Sequence, residues 1–122
     1  MDKEQAIHQF WSSFGIPAYS ENSVPDEVTY PFIAYSVSTG MLGGVTTLGA
    51  NLYYRSTSWE AIQLKKEEIA RYLGIGGITI KLDEGYAYFC QADPFAQQMS
   101  EPGDDMVKRY YLMLQAEFLT PY

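Results

Sequence analysis

The sequence predicts an α+β domain in which two amphipathic helices pack on an antiparallel or mixed β-sheet, in the order α-β-β-α-β-β-β. Three observations carry that expectation. Large apolar residues recur at helical spacing in Ile7/Phe10/Trp11/Phe14 and again in Ile62/Ile69/Leu73. Stretches rich in aromatic and β-branched residues, several alternating with period two, fill much of the remaining chain. The 122 residues, 47% hydrophobic and 19% charged, match one globular domain spanning 1–122. A chain of this length buries enough surface for a core without metal or disulfide staples.

Each element follows from local chemistry. Asp2 is placed to cap a helix over residues 3–14, with Gln5 in the reciprocal capping-box position. Gly15 and Pro17 stop it. Residues Ala18 to Glu27 read as a loop from their Ser, Asn, Pro and Asp content. Phe32 to Ser38 reads as a strand, with Pro31 confined to its beginning or to an edge. A second strand is expected over Asn51 to Thr57. Ser58 then caps a helix from about Trp59 to Leu73, closed by Gly74. The Lys66 stem should lie across its apolar stripe, and Glu67/Arg71 form an i, i+4 pair. Ile78 to Leu82 and Tyr86 to Gln91 form a hairpin about the Asp83-Glu84-Gly85 turn. Asp93 to Asp105 reads as a long polar loop. Met106 to Leu119 is the last strand, with Tyr110, Leu112, Leu114, Ala116 and Phe118 on its core face.

Eight Lys and Arg against 15 Asp and Glu leave a net charge of −7. Nucleic-acid binding as the main role is disfavoured, because it draws on clustered positive charge. The single cysteine, Cys90, permits neither an intramolecular disulfide nor a Cys-rich zinc site. The polar, acidic start Met1-Asp2-Lys3-Glu4-Gln5 does not read as a signal peptide, and no apolar run is long enough to span a bilayer.

Catalytic chemistry has little to stand on. His8 is the only histidine, and no acid or nucleophile is spaced around it as a triad would need. Cys90 lacks a neighbouring cation or base to lower its pKa. The acid pairs Asp83-Glu84 and Asp104-Asp105 sit in turns without metal-binding spacing, and neither Gly-rich run has the Lys-Ser/Thr of a phosphate loop. The expectation is a non-enzyme with no cofactor and no metal.

Two features point instead to protein contacts. Thr39 to Ala50 holds four glycines among Met41, Leu42, Val45 and Leu48, and not one charge. One reading makes it a projecting loop or hairpin, mobile in the monomer and ordered against a partner; the other folds its apolar residues back onto the protein's own core. Tyrosines are abundant, 11 in all, and the adjacent pairs Tyr53-Tyr54 and Tyr110-Tyr111 must put one ring of each outside the core. Met41, Leu42, Val45, Leu48, Tyr53 and Tyr111 are therefore the candidate subunit-interface residues.

The segment Tyr30-Pro31-Phe32-Ile33-Ala34-Tyr35-Ser36-Val37 resembles the first strand of the tail completion (tail terminator) proteins of long-tailed bacteriophages. The helix start Ser58-Trp59-Glu60-Ala61, the helix end Leu73-Gly74 and the long closing strand Lys108 to Leu119 extend the resemblance over about three quarters of the chain as an order of elements. Head-tail connectors, stoppers and minor capsid proteins are similar at this level, and a non-viral protein-binding module is the other alternative. The resemblance implies a self-associating ring, commonly a hexamer, at the head-proximal end of a tail tube. Its partners would be the tail tube protein and head-tail connector proteins, with no membrane and with DNA only as cargo through the channel. It implies a virion location, in the tail or neck, after assembly in the bacterial host cytoplasm. The family has no catalytic residues to transfer.

Overall fold

The first helix, α1 (Lys3–Ser12), is built as its sequence dictates, and the computed structural model describes it with all 122 residues of the chain. The Asp2 carboxylate accepts from the Gln5 backbone N–H while the Gln5 side chain accepts from the Asp2 N–H, both at 2.8 Å. Two orphan amides of the helix start are thereby satisfied. Ile7, Phe10, Trp11 and Phe14 are all buried. The helix closes two residues before the expected 14, where Ser13 turns its N–H and its hydroxyl onto the Phe10 carbonyl.

Six strands follow, interrupted by one helix: β1 (Ala18–Ser20), β2 (Phe32–Tyr35), β3 (Thr46–Arg55), α2 (Glu60–Leu73), β4 (Ile78–Lys81), β5 (Tyr86–Met99) and β6 (Val107–Leu119). The order is α-β-β-β-α-β-β-β, one strand more than predicted. The extra strand is β1, inside the stretch read as a loop. Three residues are too few to show an alternation. Its pairing comes from β2, alongside which it runs parallel with Ala18 opposite Ile33 and Ser20 opposite Tyr35. All other pairings are antiparallel, and the mixed sheet has the order β1-β2-β3-β6-β5-β4.

Three boundaries also move. β2 ends at Tyr35 rather than Ser38. β3 begins at Thr46, five residues before the expected Asn51, so Thr46 to Ala50 belong to the sheet and not to a projecting segment. β5 runs through the first half of the supposed polar loop to Met99. It manages this by bulging: Gln91 pairs with Leu114 and Ala96 with Leu112, five steps on β5 against two on β6. The bulge houses Pro94, which has no N–H for the ladder. The remaining polar connection is residues 100–106.

The core lies between the helices and one sheet face. Ile62, Ile69 and Leu73 of α2 meet Leu48, Ala50 and Leu52 of β3 and Tyr110, Leu112, Leu114, Ala116 and Phe118 of β6 in a single cluster. The register Leu48↔Leu114, Ala50↔Leu112, Leu52↔Tyr110 puts these side chains on one face, as the alternation of β6 predicts. Ser58 serves the start of α2 with its hydroxyl, which accepts from the Glu60 N–H at 3.3 Å, although the residue at the cap itself is Trp59. Gly74 ends the helix with φ +64.

Candidate assembly surface

Between Glu27 and Arg55 the chain has no charged side chain. Its middle, the connection from β2 to β3, carries three exposed apolar side chains close together. Met41, Leu42 and Val45 are 51%, 63% and 67% exposed. The backbone beneath them is tied down. Gly44 donates to the Met41 carbonyl at 3.0 Å, closing a turn, and Gly43 takes the positive φ of +92 that this turn needs. The Leu42 N–H donates to the Thr120 carbonyl at 3.1 Å, and Lys3 Nζ donates to the Gly40 carbonyl at 2.9 Å. The segment is therefore a turn fastened to its own chain, with its side chains outward. Leu48 is not part of it: that side chain is fully buried opposite Leu114 and is a core residue. Of the four apolar residues expected to project from this stretch, three do.

Tyr53 and Tyr111 stand on the sheet face turned away from the helices, as the alternation of their strands requires. Tyr53 stacks on Phe32 with ring centroids 4.8 Å apart and an interplanar angle of 18°. Tyr30 and Tyr19 approach the same ring, at 5.3 and 6.3 Å. Three tyrosines thus roof a phenylalanine that is only 5% exposed, although it points away from the main core. Burial pushes the Tyr53 phenol up, an effect larger than the opposing pull of Arg109, so the ring is a neutral hydrogen-bond donor at ordinary pH. Tyr111 lies across Gly49, which is buried beneath it; any side chain there would run into the phenol.

The two arginines beside these tyrosines are already engaged. Arg109, opposite Tyr53, donates from Nη1 to Asn51 Oδ1 at 2.7 Å, and its Nε lies 2.7 Å from Glu101 Oε1 as an ion pair. That N–H is not aimed at the carboxylate, so the contact is Coulombic rather than a hydrogen bond. Arg55 donates to Asp104 Oδ2 at 2.7 Å. The bond from Arg55, helped by the Met106 N–H, holds the Asp104 carboxyl below the ordinary carboxylate value.

The residues weighed for catalysis lie apart from this surface or from each other. His8 Nδ1 shares a hydrogen bond of 2.6 Å with the Tyr35 hydroxyl, and Ser12 Oγ sits 3.2 Å from Nε2. The Ser12 neighbour was readable from its i+4 position on α1, but no carboxylate completes the set. Cys90 is half-buried across from Gln115. Two cavities of about 270 Å³ each are present. One, at the foot of the β2–β3 turn, is lined by Asp2, Lys3, Thr39, Asp83 and Tyr122, the other by Trp59, Glu101, Asp104, Asp105 and Lys108; neither includes His8, Ser12 or Cys90. No three His, Cys, Asp or Glu side chains converge as metal ligands. No helix is long and apolar enough to cross a membrane.

Sequence reasoning missed Arg109, Asn51 and Glu101. The Arg109–Asn51 contact spans 58 positions and had no local signal. No family model and no curated protein matches this chain.

Proposed function

We propose that the protein is a structural assembly subunit, a tail terminator or tail completion protein of a long-tailed phage or prophage, forming a ring at the head-proximal end of the tail tube. The observation that carries this reading is the β2–β3 turn. It holds three apolar side chains in water on a fixed backbone, with no charge to solvate them. Apolar groups so placed mark a contact surface. The tyrosine-roofed sheet face is a second, different surface of interface composition, and a ring subunit needs two unlike surfaces, one for each neighbour. Its partners are then further copies of itself, the tail tube protein and the head-tail connector proteins. DNA passes only as cargo, past a chain whose net charge of −7 repels phosphate.

Light scattering across a concentration series tests the reading. The expected result is a species several times the 13.8 kDa monomer, lost in Leu42→Asp while the melting temperature stays within a degree or two of wild type. A wild type that remains monomeric at every concentration, alone and with tail tubes, would overturn it.

A further inference from the structure

Resting on that assembly reading, we infer that the two surfaces are each other's partners: the β2–β3 turn of one copy seats on the tyrosine-roofed face of a second copy, beside Phe32, Tyr53 and Arg109.

Geometry within the chain excludes an internal match. The turn leaves β3 at Thr46 and the tyrosine roof sits at Tyr53, seven residues along the same strand. At about 3.4 Å per residue that separation is roughly 24 Å. A chain cannot lay its own turn on its own roof, but a second copy can.

Charge selects the occupant. Two copies each carrying −7 repel, and the repulsion is smallest where the contact brings no charge of its own. The turn lies in the uncharged span between Glu27 and Arg55, so it meets that condition. The roof meets it differently: Arg109 is balanced by Glu101 and Arg55 by Asp104. A charged ligand would bury an unpaired group against these closed pairs, whereas an apolar one leaves them intact. Nucleic acid would find no free cation here.

The polar groups also match. The Gly40 and Met41 carbonyls are taken by Lys3 and Gly44, but those of Leu42, Gly43 and Gly44 accept no bond within the chain, and Gly43 and Gly44 leave them open to donors, unshielded by side chains. The phenols of Tyr19, Tyr30 and Tyr53 are such donors, set on rings that offer apolar surface to Met41, Leu42 and Val45. Tyrosine and arginine around a shielded centre is the composition of energetic interface centres.

The test uses the full chain with a benzophenone amino acid in place of Leu42, irradiated at high concentration. The expected product is an intermolecular cross-link into the peptides holding Tyr30–Tyr35 or Leu52–Arg55 of the second copy. Cross-links between copies that map elsewhere would overturn this inference and leave the assembly reading standing. A chain that stays monomeric and forms none, alone and with tail tubes, would overturn both. Two variants sharpen the result. Leu42→Asp spoils only the turn and Tyr53→Lys only the roof, so each alone should be monomeric. Mixed, they retain one intact junction and should give a 1:1 dimer, at least tenfold tighter than either variant with itself. A mixture no tighter than the separate variants contradicts the pairing of these surfaces. If Tyr53→Lys melts well below wild type, the cross-linking decides alone.

Discussion

Two halves of one uncharged stretch, residues 39–45 and 46–50, meet opposite fates. Both are mixtures of glycine, threonine and large apolar residues. In the first, Met41, Leu42 and Val45 are more than half exposed; in the second, Leu48 and Ala50 are at most 1% exposed. Composition does not separate them. The difference is a partner strand: Leu48 and Ala50 pair with Leu114 and Leu112, which fixes alternate residues toward the helices. Residues 41–45 lie beyond the last β3–β6 pair, Thr46↔Ala116, and their only outside backbone bond is from Leu42 to Thr120. Within this stretch, an apolar residue joins the core only where the ladder aims it inward.

The largest effect should come from placing a charge in each half. Leu48→Asp buries an unpaired carboxylate at a cost of several kcal/mol, against a total stability of about 5–15 kcal/mol, and should unfold the protein. Leu114→Asp, its cross-strand partner, should do the same. Leu42→Asp should change stability by no more than about 0.5 kcal/mol, as at an open surface site. Circular dichroism melts of the three variants check this, and a folded Leu48→Asp protein would move Leu48 out of the core.

A smaller effect is expected at Gly49, on the outward face of β3 beneath Tyr111. Gly49→Ala should cost about 1–3 kcal/mol, because the new methyl collides with Tyr111. Combining it with Tyr111→Ala should recover part of the loss in urea unfolding. Additive losses would mean that the ring does not cover Gly49.

The fastening of the turn contributes a similar amount. Lys3→Met removes the hydrogen bonds to the Gly40 and Tyr122 carbonyls and should cost about 1–3 kcal/mol. The loss should appear as faster amide exchange near Gly40, with β3 unaffected.

Smallest of all is a pH effect at the roof's edge. The Asp104 pKa is lowered in the folded state by Arg55, so its stabilising contact is complete above the unfolded value near 3.8. The contact is lost as pH falls through the lower folded value. Arg55→Ala should raise the Asp104 pKa toward 3.8, read by carboxyl NMR titration. An unchanged pKa would show that the pair is not formed in solution.

The sequence carried most of the helix-covered face. The Asp2/Gln5 capping box, the stripe Ile62/Ile69/Leu73 and the inward set of β6 are local patterns, and local patterns survive folding. The tyrosine rule also worked, since Tyr110 is buried while Tyr111 faces outward. What was hidden depends on distant partners. β1 exists because β2 lies beside it, and the Gly-rich start of β3 is a strand because β6 supplies its ladder. The second half of β5, from Asp93, looked like a loop because the residues of its bulge resemble one. For the candidate surface, the exposed turn and the outward tyrosines were legible from composition and alternation. The Arg109–Asn51–Glu101 set was not, because its members come together only across β3, β6 and the 100–106 connection.

The most direct measurement is amide hydrogen exchange, residue by residue, on dilute and on concentrated protein. If the turn and the roof are the contact surfaces, exchange at residues 39–45 and around Tyr30 and Tyr53 should slow with concentration. Exchange in Thr46–Ala50, already protected by β6, should not change. Concentration-dependent protection confined to other segments, with the turn exchanging equally fast at both concentrations, would contradict the account.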